Sequence, residues 1–381
     1  MSTSDPVDRH VGENLSERSF TGYRRQSGMV GVRNRVIVLP SVICSHIVAE
    51  RITDSIEGAV STPHDHGCAQ IGADHDQTER TLLNITLNPN VAGATVVGLG
   101  CEHLQSGPFA EKIASHDVPV RETAIQTAGG TDPCIEEGIE LTNTLTKNAG
   151  ATDEESACMS DLTVGIVSSD ISDSTRTVAD PLVGTVVNRL IQADAHVIAA
   201  GIERLAGHSD AVQDRAADSS VRRDIQTMVD RFKMQPGSTR SIAEDSIKYP
   251  LEEITATWGN QPVAEVIDYG DRTVRDSGLT LLDSPSRFEE AATGLAAAGA
   301  SIIIHVTAEG IPTGHPIVPV IKITGEDSTA SVLTDDIDID ARSSAPADLI
   351  ATLRSVADGA STATERHGLT KFAINRVGPS M

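Results

Sequence analysis

The sequence predicts an α/β protein of two consecutive domains with mainly parallel, Rossmann-like sheets, and three observations carry that prediction. Short, uninterrupted β-branched runs such as Val36-Ile37-Val38-Leu39 and Ala94-Thr95-Val96-Val97 fit strands buried on both faces of a parallel sheet. Between them lie stretches with helical spacing of apolar residues, such as Ile47, Ile52 and Ile56 or Leu82 and Ile85. Four early apolar segments break off into chemically loaded loops: Cys44, His64-Asp65-His66-Gly67-Cys68, Gly100-Cys101-Glu102, and Gln126 to Gly130. In an open parallel sheet the carboxyl ends of the strands line one edge, where loops distant in sequence build one site.

Taken in order, residues 1–19 are polar and acidic and predict a disordered start. Gly22 to Asn34 is an opening segment with three glycines, followed by a strand at 36–40 and a helix from about Ser45, an N-cap. Strands at 57–61, 94–99 and 118–125 alternate with helices at 76–85, 108–116 and 132–147, completing a domain over 20–150. Residues 148–161, small and acidic, read as a connection. The second domain, 151–381, restarts with strands at 162–167 and 196–200 around a helix at 179–191. A long polar helix at 209–232 precedes an irregular stretch, 235–262, holding Pro236, Gly237, Pro250 and Gly259. Strands at 263–268, 301–306 and 318–324, an Ala-rich helix at 287–298 and a helix at 345–359 close the chain.

The formal net charge is −24, from 54 acidic and 30 basic residues, and only 6 of the basic residues are Lys. Dense carboxylates with scarce Lys read as a surface adapted to high salt. Nucleic acid is excluded as a partner, since Arg24, Arg25, Arg33 and Arg35 form too small a basic cluster. No apolar stretch reaches spanning length and no signal-peptide core opens the chain, which predicts a cytoplasmic protein without membrane contact. Five cysteines without paired spacing argue against a disulfide framework.

His64-x-His66-x-Cys68 sets three ligand types on alternate residues, a set that suits Fe, Zn or related divalent ions, with carboxylates shifting preference toward Mn or Mg. A tight loop with half-exposed histidines around Gly67 fits the same residues. Gly98-Leu99-Gly100-Cys101-Glu102 combines close backbone approach with a thiol and a carboxylate, and it lacks the third glycine of a dinucleotide fingerprint. Gln126-Thr127-Ala128-Gly129-Gly130 offers an anion cradle at a helix start, or simply a turn. Ser168-Ser169-Asp170 sits just beyond a strand and reads first as turn and capping chemistry.

Gly22-Tyr23-Arg24, Gly31 to Asn34, His64 to Cys68, Asn88-Pro89-Asn90, Gly98 to Glu102, Gln126 to Gly130, Gly278 to Pro285, Ala298-Gly299-Ala300 and Asp338 to Ala341 together resemble the altronate/galactarate dehydratase family. The resemblance implies two α/β domains, and, because a small SAF domain is missing here, a separate SAF-domain subunit in a hetero-oligomer. It implies elimination of water from a small sugar acid with a divalent metal, Fe2+ or Mn2+ first and Mg2+ next, which tames enolate-like charge. On it, His64, His66 and Cys68 are expected as metal ligands. Cys101, Glu102 and Cys44 are expected as catalytic groups, and Arg24, Arg33, Asn34, Gln126, Gly129 and Gly130 as substrate contacts.

Departures from the family pattern cluster in the second domain. Cys-Gly-Gly-Ser-Asp becomes Ser168-Ser169-Asp170-Ile171-Ser172, Glu-Lys-Ser becomes Glu244-Asp245-Ser246, Thr-Gly-Arg-Gly becomes Thr307-Ala308-Glu309-Gly310, and the His of His-Pro-Asn becomes Asn88. The resemblance implies, as the family default, dehydration of an aldonate such as altronate by a large subunit, and the departures open a second reading. Carbon–carbon hydrolysis of a 2,4-diketo-3-deoxy sugar acid, such as the rhamnonate, is the alternative, and a non-catalytic partner subunit the third reading.

Overall fold

In the computed structural model, which describes residues 19–234 and 240–378, two blocks of buried β-branched sequence each assemble a wholly parallel sheet. The expected disordered start lies outside the described residues up to position 18. The first block runs β1 (Ser19–Arg24), β2 (Val30–Gly31), β3 (Arg35–Pro40), α1 (His46–Thr53), β4 (Ala59–Ser61), α2 (Ala73–Thr86), β5 (Val91–Gly98), α3 (Ser106–Ala114), β6 (Val120–Ala124) and α4 (Thr131–Ala149). Its four-stranded sheet has the order β4-β3-β5-β6. The central strands are the predicted ones, and their unbroken apolar runs follow from burial on both faces, Val36 to Leu39 being almost wholly inaccessible.

The second block runs β7 (Glu155–Cys158), β8 (Thr163–Ser168), α5 (Asp180–Gln192), β9 (His196–Ala199), α6 (Ser209–Gln213), α7 (Ser219–Met234), α8 (Arg240–Ser246), α9 (Leu251–Ile254) and β10 (Val263–Ile267). It continues through β11 (Gly278–Leu282), α10 (Phe288–Ala298), β12 (Ile302–Val306), β13 (Val320–Thr324), α11 (Asp327–Val332), β14 (Ile339–Asp340), α12 (Pro346–Ala357) and α13 (Ala363–His367). The sheet has seven strands in the order β10-β11-β9-β8-β12-β13-β14.

Several elements differ from the sequence expectation, among them short helices α8 and α9 inside the stretch expected to be irregular. The connection at 148–161 carries β7, which pairs antiparallel with β1, Phe20 opposite Ala157, so the opening segment and the connection form one small sheet with β2. The polar helix at 209–232 is two helices, because the Asp218 carboxylate accepts the N–H groups of Ser220 (2.7 Å) and Val221 (3.0 Å) and starts a new helix there. A strand the periodicity does not single out, β11, inserts between β9 and β10.

The two sheets share apolar packing in which α2 meets α10, with Leu82 and Ile85 joining Leu295, Ile303 and Phe372 in one cluster. Asn88 and Asn90 fasten this seam. Asn88 Nδ2 donates to the carbonyls of Ala296 (2.8 Å) and Ala300 (2.9 Å), while Asn90 Oδ1 accepts from Val32 N–H at 2.8 Å and its Nδ2 donates to Ser301 O at 2.9 Å.

Strand order also fixes where each sheet can bind. In the first, β4 lies on one side of β3 and β5 on the other, so the switch point falls between β3 and β5. In the second, β9 and β12 flank β8 on opposite sides, and the chain reverses direction at the β8/β12 boundary. Ligands bind outside the carboxyl ends at such points, because the connections diverge there and leave a crevice.

Candidate active site

At the first switch point the exits of β3 and β5 are tied together by one carboxylate. Glu102 accepts from Ser41 Oγ (3.0 Å) and from the N–H groups of Leu99 (3.2 Å) and Gly100 (2.5 Å). Both oxygens are spent holding the loops, and the residue is buried. Ser45 Oγ donates to Val97 O at 2.7 Å, and Ile43 N–H donates to His66 O at 2.8 Å, which draws the β4 exit onto the turn carrying Cys44. Gly67 makes that approach possible: its φ is +103°, and a Cβ there would stand 2.9 Å from Ser41 O.

These constraints bring Cys44, Cys68 and Cys101, all exposed, to the same edge. Partial burial, then Cys68, Cys101 and Glu102, push the Cys44 thiol up, which records how near those groups are. Gln126 belongs to this edge as well, its N–H donating to Leu99 O at 3.0 Å and its side chain packing where a Gly100 Cβ would be. Gly129 and Gly130, at φ +90° and +137°, lead into α4 at the end of β6.

The histidines turn inward. His64 Nε2 donates to Pro40 O at 2.8 Å and its Nδ1 accepts His66 N–H at 3.2 Å. His66 Nε2 donates to Ile374 O at 3.2 Å and its Nδ1 accepts from Gln70 Nε2 at 2.9 Å. Neither ring keeps a lone pair for a cation, so the expected ligand set His64, His66 and Cys68 is not assembled. Burial lowers both imidazoles, His64 to about 4.

The expected carboxylate anchors are also committed elsewhere. All five N–H groups of Arg33 find protein acceptors: Glu365 at both oxygens (2.8 Å each), and the carbonyls of Val32 (2.8 Å), Val356 (2.9 Å) and Ala360 (2.8 Å). Arg24 pairs with Glu155 and Asp161 beside β7, each at 3.4 Å. Asn34 Nδ2 donates to Ala149 O at 2.8 Å, at the end of α4. Arg33 and Asn34 immediately precede β3 and so stand at its amino end, opposite the loops that gather the thiols.

A cavity of about 810 Å³ opens where the carboxyl ends of the two sheets meet, lined among others by His64, His66, Glu203, Asp283, Arg287 and Arg376. A second, of about 480 Å³, adjoins it across His64, Asp65, Lys371 and Phe372. Glu203 accepts the N–H and Oγ of Ser286, both at 2.6 Å. Asp283, just past β11, is pushed up to about 6 by burial against the opposing pull of Arg231. A carboxyl poised near neutrality in a cleft is suited to moving a proton. Asp283 does not stand out by spacing or motif, although an acid directly after the apolar pair Leu281-Leu282 is a strand-end signal.

His64, His66 and Glu102 are taken up by protein hydrogen bonds, which leaves the thiols as the soft donors at this edge. Among the described residues, no three His, Cys, Asp or Glu side chains are grouped so as to hold an ion. No described helix is long and apolar enough to cross a membrane.

Residues 22–150 match the family model for D-galactarate dehydratase/altronate hydrolase, second domain, and residues 254–380 the model for D-galactarate/altronate dehydratase, C-terminal. The chain belongs to the galactarate/altronate dehydratase family. Within this family it is 28% identical over 333 residues to an altronate dehydratase of Bacillus subtilis, covering 80% of this chain and 65% of that protein. It is 28% identical over 386 residues to the (2R)-sulfolactate sulfo-lyase subunit beta of Chromohalobacter salexigens, covering 95% of this chain and 98% of that protein. An altronate dehydratase of Escherichia coli is 27% identical over 401 residues, covering 96% and 79%. The chain thus spans just under two thirds of the first of these relatives and nearly the full length of the second.

Proposed function

We propose that this chain is the large subunit of a sugar-acid lyase that removes water from an aldonate. The reading rests on one observation: strand exits from both sheets converge on the cavity that holds Asp283, with His64 to His66 in its wall and Cys68 two residues further on. Arg287, Lys371 and Arg376 line the same space and supply positive charge for a substrate carboxylate. Asp283, as carboxylate, accepts the proton from the carbon beside that carboxylate; the bond to the hydroxyl on the next carbon then breaks with its electron pair, and that oxygen takes the proton back from Asp283 to leave as water. The low-dielectric wall strengthens each of these attractions. Were the assembled enzyme to take a divalent ion, Cys44, Cys68 and Cys101 would be the nearest soft donors at this edge, and the ion would supply charge that stabilises an enolate-like state. The similarity to a sulfo-lyase subunit beta, over 95% of this chain and 98% of that protein, supports a reading in which a partner subunit completes the enzyme.

The test is co-expression with a small SAF-domain subunit and assay against a panel of aldonates with Fe2+, Mn2+ and Mg2+. Metal-stimulated release of a 2-keto-3-deoxy acid is expected, with Asp283→Asn lowering kcat by roughly 10²-fold or more. A folded complex inert toward every aldonate under all three metals defeats the reading.

A further inference from the structure

A second polar line runs inward from the switch point of the larger sheet. Ser169, half-buried, follows β8, and its Oγ lies 2.6 Å from Nε2 of His305, near the end of β12. Ser169 N–H donates to Val306 O at 3.0 Å, which fixes the hydroxyl across the boundary where the strand order reverses. His305 is fully buried and stacked on Phe288, ring centroids 4.0 Å apart and planes at 18°. That stacking leaves the imidazole little freedom to rotate away from the hydroxyl.

Burial and the neighbouring Lys322 hold His305 well below its ordinary value, so the ring is neutral and in its basic form. Lys322 is opposite His305 in the β12/β13 register and fully buried, and neither its Nζ nor Nδ1 of His305 has a hydrogen-bond partner among the described residues. An unpaired buried ammonium is costly unless an anion meets it. The reading of Ser169 as mere turn chemistry does not account for a buried imidazole aimed at its hydroxyl.

We propose that Ser169 is a nucleophile with His305 as its base, giving the second sheet an acyl-transfer centre for a small carbonyl compound with an anionic leaving group. Oγ bonds to the carbonyl carbon while its proton passes to Nε2. The bond to the leaving group, an alkoxide or a carbonyl-stabilised carbanion, then breaks with its electron pair, and that group takes the proton from Nε2. Water repeats the sequence: it gives a proton to His305, its oxygen joins the acyl carbon, and Oγ leaves and is reprotonated. The sum is acyl compound plus water to carboxylic acid plus protonated leaving group, with Lys322 countering the negative charge. This centre needs neither a metal nor a second subunit, so it stands or falls apart from the lyase reading.

The experiment uses the purified full chain with diisopropyl fluorophosphate and p-nitrophenyl acetate, each read by intact mass and peptide mapping. Expected are a single phosphoryl adduct on Ser169, an acetyl burst on the same residue, loss of both in Ser169→Ala, and labelling about 10²-fold slower in His305→Phe. His305→Gln provides a second test if the Phe variant does not fold, and near-ultraviolet circular dichroism monitors folding. A folded protein that takes neither label on Ser169, or a folded His305 variant that labels at the unaltered rate, overturns the proposal.

Discussion

Buried imidazoles make this protein sensitive to mild acid. Burial lowers His64 and His196 to about 4 and His315 to about 3, against an ordinary 6.5. The unfolded chain binds these protons near 6.5 whereas the folded chain refuses them until near 4, so stability is complete above pH 6.5 and is lost as pH falls toward 4. A fall from 6.5 to about 4 is worth roughly 3 kcal/mol per histidine. Asp283, raised to about 6, runs the other way, its contribution being present in acid and lost as pH rises through 6. His66 and His305 are lowered by burial too, and Asp180, Asp271, Glu290 and Asp338 are raised like Asp283. Because the histidines of the unfolded chain titrate near 6.5, the urea midpoint is expected to drop from pH 7.5 to pH 5; an equal or higher midpoint at pH 5 contradicts this. At this scale the thiols are legible because cysteine after an apolar strand and beside glycine stands out. The roles of His64 and His66 are not, because their partners, Pro40 and Ile374, lie 24 and 308 residues away. Arg33 illustrates the same limit, since Glu365 and the carbonyls of Val356 and Ala360 come from the far end of the chain.

Loops at the carboxyl edge depend on glycines for two separable reasons. Gly67 and Gly129 both have positive φ, yet a Cβ at Gly67 meets Ser41 O at 2.9 Å whereas nothing lies within 4 Å of one at Gly129. Both alanine variants incur backbone strain of about 1–3 kcal/mol, and only Gly67→Ala adds a clash that lifts the Cys68 loop from the β3 exit. A lower Tm for Gly67→Ala than for Gly129→Ala, with slower bismaleimide cross-linking of Cys44 to Cys68, is the expected outcome; equal Tm values would contradict it. Among the elements, β3, β5, β8, β12 and β13 are legible because burial on both faces writes itself as an unbroken apolar run. β1 and β7 are harder to read, because they pair with each other across the intervening domain and β1 otherwise meets only the two-residue β2. The break between α6 and α7 is local and readable in retrospect from Asp218, a capping residue inside an otherwise helical pattern.

The molecule as a whole carries a charge of −24, and its self-repulsion opposes the folded state. Raising KCl from 0.1 to 2 M shortens the Debye length from about 10 Å to under 3 Å. Tm is expected to climb steadily over that range, and a flat or falling profile removes the salt-adapted reading of the surface. The sequence by itself determined the α/β class, most strands of both sheets and the placing of thiols at strand exits, because periodicity and strand-end chemistry are local. Only the tertiary structure decided which groups keep free atoms, that Asp283 faces a cavity shared by both sheets, and that Ser169 meets His305 from 136 residues away. Hydrogen-bond partnership and switch-point position are set by strand order, and strand order arises from packing between segments that no local pattern connects.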